Sequence, residues 1–163
     1  MRISLKDTLL LRGFAFAKIP LLFLARPTVV KLTNEECIIS LPYCRRNKNH
    51  LNSMYFGALC IGADAAGGMI CQRLLDNLKG AKGSLIFKDF HADFLKRAEG
   101  DVLLTCKEGP AIQAAVEAAT ASGERVSIPL KITATVPSKF GDEPVAQFVL
   151  TLSVKVKKTG KTT

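Results

Sequence analysis

Between His50 and Arg73 the chain carries a single charged residue, Asp64, inside the run MYFGALCIGADAAGGMIC (54–71). No proline interrupts residues 53–75, and Ser53 is suited to cap a helix start, so a long helix is predicted there. A helix that is apolar on every side has to be covered on every side. Gly57, Ala58, Gly62, Ala63, Ala65, Ala66, Gly67 and Gly68 keep it slim, although each glycine costs ~1 kcal/mol relative to alanine. The rest of the chain must therefore wrap this helix. A transmembrane helix would also be apolar all round, but the glycines, the central Asp64 and the flanking amphipathic strands argue against one.

The flanking segments supply the wrapping. TVVKL (28–32) and CIISLPY (37–43) are β-branched runs that read as strands around a turn at Thr33-Asn34-Glu35. RRNKNHLNS (45–53) is a polar loop, and residues 77–83 form another. SLIFKDFHADFL (84–95) alternates, with Ile86, Phe90, Ala92 and Phe94 on one face and Asp89, His91 and Asp93 on the other. DVLLTCK (101–107) is expected as its hairpin partner. PAIQAAVEAATASG (110–123) is a helix between Pro110 and Gly123. RVSIPLKITATV (125–136) and PVAQFVLTLSVKVK (144–157) are long strands. The pattern is α+β: one domain over 1–163, in which a six-stranded antiparallel sheet curls round the central helix. A helical extension (1–26) precedes it and a flexible basic tail (157–163) follows.

In that extension, Arg12, Lys18 and Pro20 break LLLRGFAFAKIPLLFLARP into pieces too short to span a bilayer, and a small-residue cleavage site is missing. Leu5, Leu9, Arg12/Gly13 and Phe16 step at helical spacing. They predict an amphipathic helix folded onto the body, with docking on a membrane surface as the alternative. The net charge of +9 is concentrated partly in RRNK (45–48) and KVKKTGK (155–161). Such patches suit nucleic acid, anionic lipid or a phosphorylated cofactor. With no Trp and no aromatic residues interleaved, nucleic acid is not expected as a partner. Five cysteines without a Cys-x-x-Cys pair, and only two histidines, exclude a structural zinc site and read as reduced thiols of a cytoplasmic protein.

Asp64 shares its helical face with Gly57, Cys60, Ile61, Gly67, Gly68 and Cys71, none of which can pair with it. It either accepts hydrogen bonds from a loop or a second subunit, or it is a poised base or nucleophile. Free N–H groups near Tyr55, Phe56 and Gly57 would carry the positive end of the helix dipole and suit an oxyanion. Asp64 lies roughly 10–12 Å further along by helical rise. An isologous dimer would bring Asp64 of one chain to the helix start of the other. Asp89, His91 and Asp93 read as a solvated or interfacial strand face, not as a metal site.

These residues resemble hotdog-fold thioesterases, in which a sheet wraps a central helix and dimers form across the sheets. The motif of the phenylacetyl-CoA thioesterase-like branch is Asn, then His-Gly-Gly at the helix start, then Asp within the helix. It matches Asn49, Tyr55-Phe56-Gly57 and Asp64, with the Asn-to-Asp spacing of 15 preserved. The run from IPLLFLARPTVV through NHLNSMYFGAL to DFLKRAEGDV is similar to an uncharacterised thioesterase-like hotdog family, across roughly residues 5–156.

The resemblance implies that Asp64 activates water or attacks the thioester of an acyl-CoA. It implies further that the amides of Phe56 or Gly57 hold the oxyanion and that Asn49 positions water or substrate. Tyr55 stands where the motif has His, and Phe56 where it has the first Gly, so the pocket mouth is bulkier and lacks an imidazole. Tyr55 would then border the substrate, and Arg45, Arg46 and Lys48 could meet the phosphates of coenzyme A. No metal or redox cofactor is implied, coenzyme A entering only as part of the substrate. A homodimer or homotetramer is expected. The alternative function is a non-catalytic protein that binds acyl-CoA or an acyl chain.

Overall fold

The computed structural model describes residues 3–158. Helices α1 (Leu5–Lys18) and α2 (Pro20–Ala25) lead into strands β1 (Thr28–Leu32) and β2 (Cys37–Leu41), then the long helix α3 (Phe56–Asp76). Strands β3 (Ala81–Phe94) and β4 (Val102–Cys106), helix α4 (Gly109–Ser122), strand β5 (Val126–Thr135), the single turn α5 (Pro137–Phe140) and strand β6 (Pro144–Lys158) complete the chain. The six strands form one antiparallel sheet in the order β1-β2-β4-β5-β6-β3. This is the hotdog architecture: α3 packs against strands β2 to β6, and Ala63, Ala66, Ile70 and Cys71 are among its side chains sealed against the sheet.

Among the described residues α3 is the one helix long and apolar enough to cross a membrane. Here it is the core helix, and it fits only because it is thin at one position. A methyl group on Gly62 would come within 2.7 Å of Leu41 Cδ1 and Leu104 Cδ1, both on fully buried side chains. At Gly67 the nearest atoms, from Phe87, Ile132 and Leu130, would stand at 3.4–3.5 Å, which is ordinary contact. The narrowness that the sequence demands is thus strict at Gly62 and relaxed at Gly67.

Four expectations are corrected. The helix starts at Phe56, not Ser53, because the Ser53 hydroxyl is taken up by Asn49. β3 begins at Ala81, so Gly83 lies in a strand and not in a loop, packed closely against Leu75. β3 pairs with β6 rather than with β4, which sits between β2 and β5. The 14 residues of β3 find a partner of matching length in the 15-residue β6, whereas β4 has only 5. Finally, a β-bulge between Phe87 and Phe90 shifts the register. Leu85 and Phe87 therefore face α3 with Phe90, Ala92 and Phe94, while Ile86 points to the opposite face. Within the bulge the Asp89 carboxylate accepts the Thr151 amide at 3.1 Å.

The predicted tail is also shortened. Lys157 and Lys158 belong to β6, paired with Lys82 and Ala81, and residues 159–163 lie outside the described residues.

Gly62→Ala is expected to lose about 1–3 kcal/mol through overpacking, whereas Gly67→Ala should be neutral or gain up to about 1 kcal/mol from helix propensity. Urea unfolding midpoints at unchanged slope distinguish the two.

Candidate functional site

The loop before α3 is braced by its own polar side chains. Asn49 Oδ1 accepts the amides of Leu51 (2.9 Å) and Ser53 (3.2 Å), while its Nδ2 lies 3.2 Å from Ser53 Oγ. Asn52 follows in the left-handed region with φ 56°. Asn47, nearly fully buried, donates from Nδ2 to the Ala25 and Pro42 carbonyls and ties the loop to the end of α2. The Tyr55 amide donates to the Asn47 carbonyl at 2.7 Å, and the Met54 amide to Ala98 at 2.7 Å. The entry angle of α3 is therefore fixed on two sides.

At the helix start, Ala58 N–H and Leu59 N–H both reach the Tyr55 carbonyl. The N–H groups of Phe56 and Gly57 have no acceptor among the described residues. Together with the helix dipole they form a small donor pair of positive character. The Tyr55 ring lies against Gly57 and packs on Phe56 with centroids 4.7 Å apart. Phe56 also meets Phe94 at 6.1 Å, Phe94 meets Phe148 at 6.1 Å, and Phe148 meets Phe90 at 5.7 Å. These rings line the side of the sheet that faces α3, yet Phe56, Phe90 and Phe94 remain exposed. They make an apolar wall at the helix start.

Asp64 sits two turns further on, half-buried, with no hydrogen bond or ion pair to its carboxylate among the described residues. Gly57, Cys60, Ile61 and Gly68 share its half-covered face, so α3 is left open along one stripe that runs from the aromatic wall past Asp64. Burial without a compensating donor pushes the Asp64 carboxyl above its ordinary value. The same cause raises the Cys60 thiol, and pushes the Cys71 and Cys106 thiols up to about 12 and about 11. All five cysteines are free; Cys37, Cys71 and Cys106 are buried and serve as packing.

The basic residues do not converge on this stripe. Arg45 and Arg46 are exposed on a single 3₁₀ turn (Arg45–Asn47). Arg46 joins Arg12, Phe23 and Arg26 around a cleft of about 300 Å³ that no α3 side chain lines. Lys48 Nζ lies 4.8 Å from the centre of the Tyr43 ring. His91 and Asp93 form an exposed pair at 3.4 Å, and no group of three possible metal ligands occurs among the described residues. Sequence reasoning placed Asp64, Phe56 and Gly57 correctly on one helix but missed the wall of Phe90, Phe94 and Phe148. The alternation of Phe90 and Phe94 was the available signal, and Phe148 is the residue paired with Ala92 across the strands.

The family model described as a domain of unknown function, DUF4442, matches residues 8–154. The chain belongs to the DUF4442 family. Among solved structures, this DUF4442 chain is similar to a Pseudomonas aeruginosa protein of unknown function described as a probable thioesterase. The two share 21% identity over 96% of this chain and 99% of that one, with a TM-score of 0.74. A Haemophilus influenzae thioesterase matches over 99% and 96% at 11% identity and a TM-score of 0.65. A Chlorobaculum tepidum protein with unknown function matches over 94% and 96% at 12% identity and a TM-score of 0.75. At these identities the likeness establishes the hotdog fold. No curated protein matches the chain at a significant level.

The raised carboxyl has a consequence for stability. A carboxylate whose folded value lies above its unfolded one, about 3.9, destabilises the fold increasingly as pH rises through that interval. Asp64→Asn should therefore raise the melting temperature at pH 7, with the gain disappearing below about pH 4. Paired thermal melts across that range measure it.

Proposed function

We propose that this DUF4442 protein hydrolyses an acyl thioester, with an acyl-CoA as substrate. The observation that carries the reading is the unpaired Asp64 carboxylate on the open stripe of α3, which runs on from an exposed apolar wall and an unsatisfied pair of amides at the helix start. An acyl chain would lie on the Phe90, Phe94 and Phe148 rings, with Tyr55 at the mouth. The thioester carbonyl oxygen would take the Phe56 and Gly57 N–H groups as the tetrahedral intermediate forms. Asp64 would take a proton from the attacking water and return it to the departing thiolate, or attack the carbonyl directly, expelling the thiolate and leaving an acyl anhydride on Asp64 that water then hydrolyses. Asn49 acts by holding the 49–53 turn, and thereby the donor pair, in place. Arg45 and Lys48, which precede the helix start, supply positive charge for the phosphates of coenzyme A. The reaction uses only side-chain and backbone groups of the protein.

The separation along α3, about 12 Å over eight residues of rise, divides these roles between two chains. β3 supports that division: among the described residues it pairs only with β6, which leaves one edge of a 14-residue strand open. Joining β3 to β3 about a two-fold axis continues the sheet and sets two α3 helices side by side. Asp64 of one chain can then address the donor pair of the other. The homodimer is part of the proposal.

Thiol release from short, long and aromatic acyl-CoAs tests the reaction. Asp64→Asn should lower turnover about a hundredfold or more, with the fold intact by circular dichroism. Activity should fall on the acid side through a limb shifted upward from that of an ordinary aspartate, because burial raises the Asp64 carboxyl and only its ionised form can act as base. Saturable acyl-CoA binding without turnover in either protein would instead favour a binding module, which the bulky Tyr55-Phe56 pair at the mouth would suit.

A further inference from the structure

The predicted amphipathic stripe of α1 faces the wrong way for a helix that only packs on its own domain. α1 does lie on the body, through Thr8, Leu11 and Ala15. Its orientation is fixed by polar tethers at i, i+4 and i+8 along the edge strand β1. Ser4 N–H donates to the Val29 carbonyl at 2.9 Å, and Thr8 Oγ1 accepts the Val29 amide at 2.9 Å. Arg12 donates to the Pro27 carbonyl and to Thr28 Oγ1, both at 2.9 Å. These bonds satisfy β1 groups that have no neighbouring strand. They also turn Leu5, Leu9 and Phe16 outward, 70–72% exposed. Leu10 on α1 and Leu21 and Leu24 on α2 are exposed too, and a Phe16–Phe23 contact at 5.2 Å joins the two helices into one surface. A contiguous apolar surface of this kind marks an interaction site.

Charge selects the occupant. Residues 5–26 hold four cations, Lys6, Arg12, Lys18 and Arg26, against one carboxylate, Asp7. Lys6, Lys18, Arg26, Arg45 and Arg46 are exposed, and none forms an ion pair among the described residues. Arg12, Arg26 and Arg46 surround the 300 Å³ cleft beside α2, and buried Asn47 locks the arginine-bearing turn to the α2 end. A second copy of this chain on the same face would oppose cation to cation, within a protein of net charge +9. An anionic bilayer is complementary in both respects.

We propose that the α1–α2 face docks on an anionic membrane surface. The outward leucines and phenylalanines enter the boundary between headgroups and acyl chains, and the arginine cleft receives a lipid phosphate. The proposal does not rest on the thioesterase reading: Asp64, the donor pair and the aromatic wall take no part, and Arg45 alone is common to both.

Sedimentation of the full-length protein with phosphatidylcholine vesicles, with and without phosphatidylglycerol, tests it. Binding is expected to the anionic vesicles and to weaken as salt rises. Leu9→Ser with Phe16→Ser should reduce that binding about tenfold or more. Lys18→Gln with Arg26→Gln should reduce it about tenfold on anionic vesicles. Both pairs are exposed, and thermal melts verify that each variant is folded. Failure of wild type to bind, equal binding to neutral vesicles, or binding unchanged in both variants overturns the proposal. So does a Leu9/Phe16 variant that only converts an oligomer to a smaller species by light scattering, which would make the face a contact between copies.

Discussion

Gly62 of α3 lies so close to Leu41 of β2 and Leu104 of β4 that no room is left for a single methyl group between them. Everything else follows from having a helix that thin inside a curled sheet. The sheet can close round α3 from β2 to β6 only if the axis of the helix approaches the strands closely. That closeness seals Ala63, Ala66, Ile70 and Cys71. A helix that must be small on the sheet side cannot carry large polar groups there. The one carboxylate in its interior, Asp64, is displaced to the stripe that the sheet leaves half-covered, while Asp76 lies exposed at its end.

That position gives Asp64 its chemical character. Placed deeper, the carboxyl would be driven neutral; placed on the surface, it would be an ordinary acid. Half-buried and unpartnered among the described residues, it keeps a carboxyl raised by burial alone, two turns along α3 from amides that point at no acceptor. Such an arrangement is costly to folding, and under the proposed reaction the same raised carboxyl would serve proton transfer. The exchange of His-Gly for Tyr55-Phe56 leaves the backbone donors in place, because their direction is set by the helix and by the Asn47 and Ala98 carbonyls, not by the side chains.

The sequence was most legible where periodicity and helix-breaking residues agreed. The central helix, the α4 helix between Pro110 and Gly123, and all six strands stand close to where residue pattern places them. It was least legible where a side chain or an extra residue changed the local rule. Ser53 resembles a cap, but the Asn49 turn claims its hydroxyl. Ile86 belongs to the apolar alternation until the bulge at Phe87–Phe90 inserts its offset. Strand β4 follows β3 in sequence, yet pairing length gives β3 to β6, which periodicity cannot express. The stripe of α1 was seen but assigned inward, because the polar tethers of Ser4, Thr8 and Arg12 to β1 are long-range contacts. For the candidate site, the motif spacing singled out Asp64 and the Phe56–Gly57 pair, and α3 carries them on one helix. The aromatic wall came from strand faces that only the bulge defines.

The most direct measurement of the central claim is a crystal structure with a non-hydrolysable acyl-CoA in which the thioester sulfur is followed by methylene in place of the carbonyl. The account predicts the acyl chain on the Phe90, Phe94 and Phe148 rings. It also predicts that the atom standing for the carbonyl carbon lies within about 4 Å of the Phe56 or Gly57 amide of one chain and beside Asp64 of a partner. An analogue bound elsewhere, or bound with Asp64 more than about 8 Å from that atom in every chain, would contradict it.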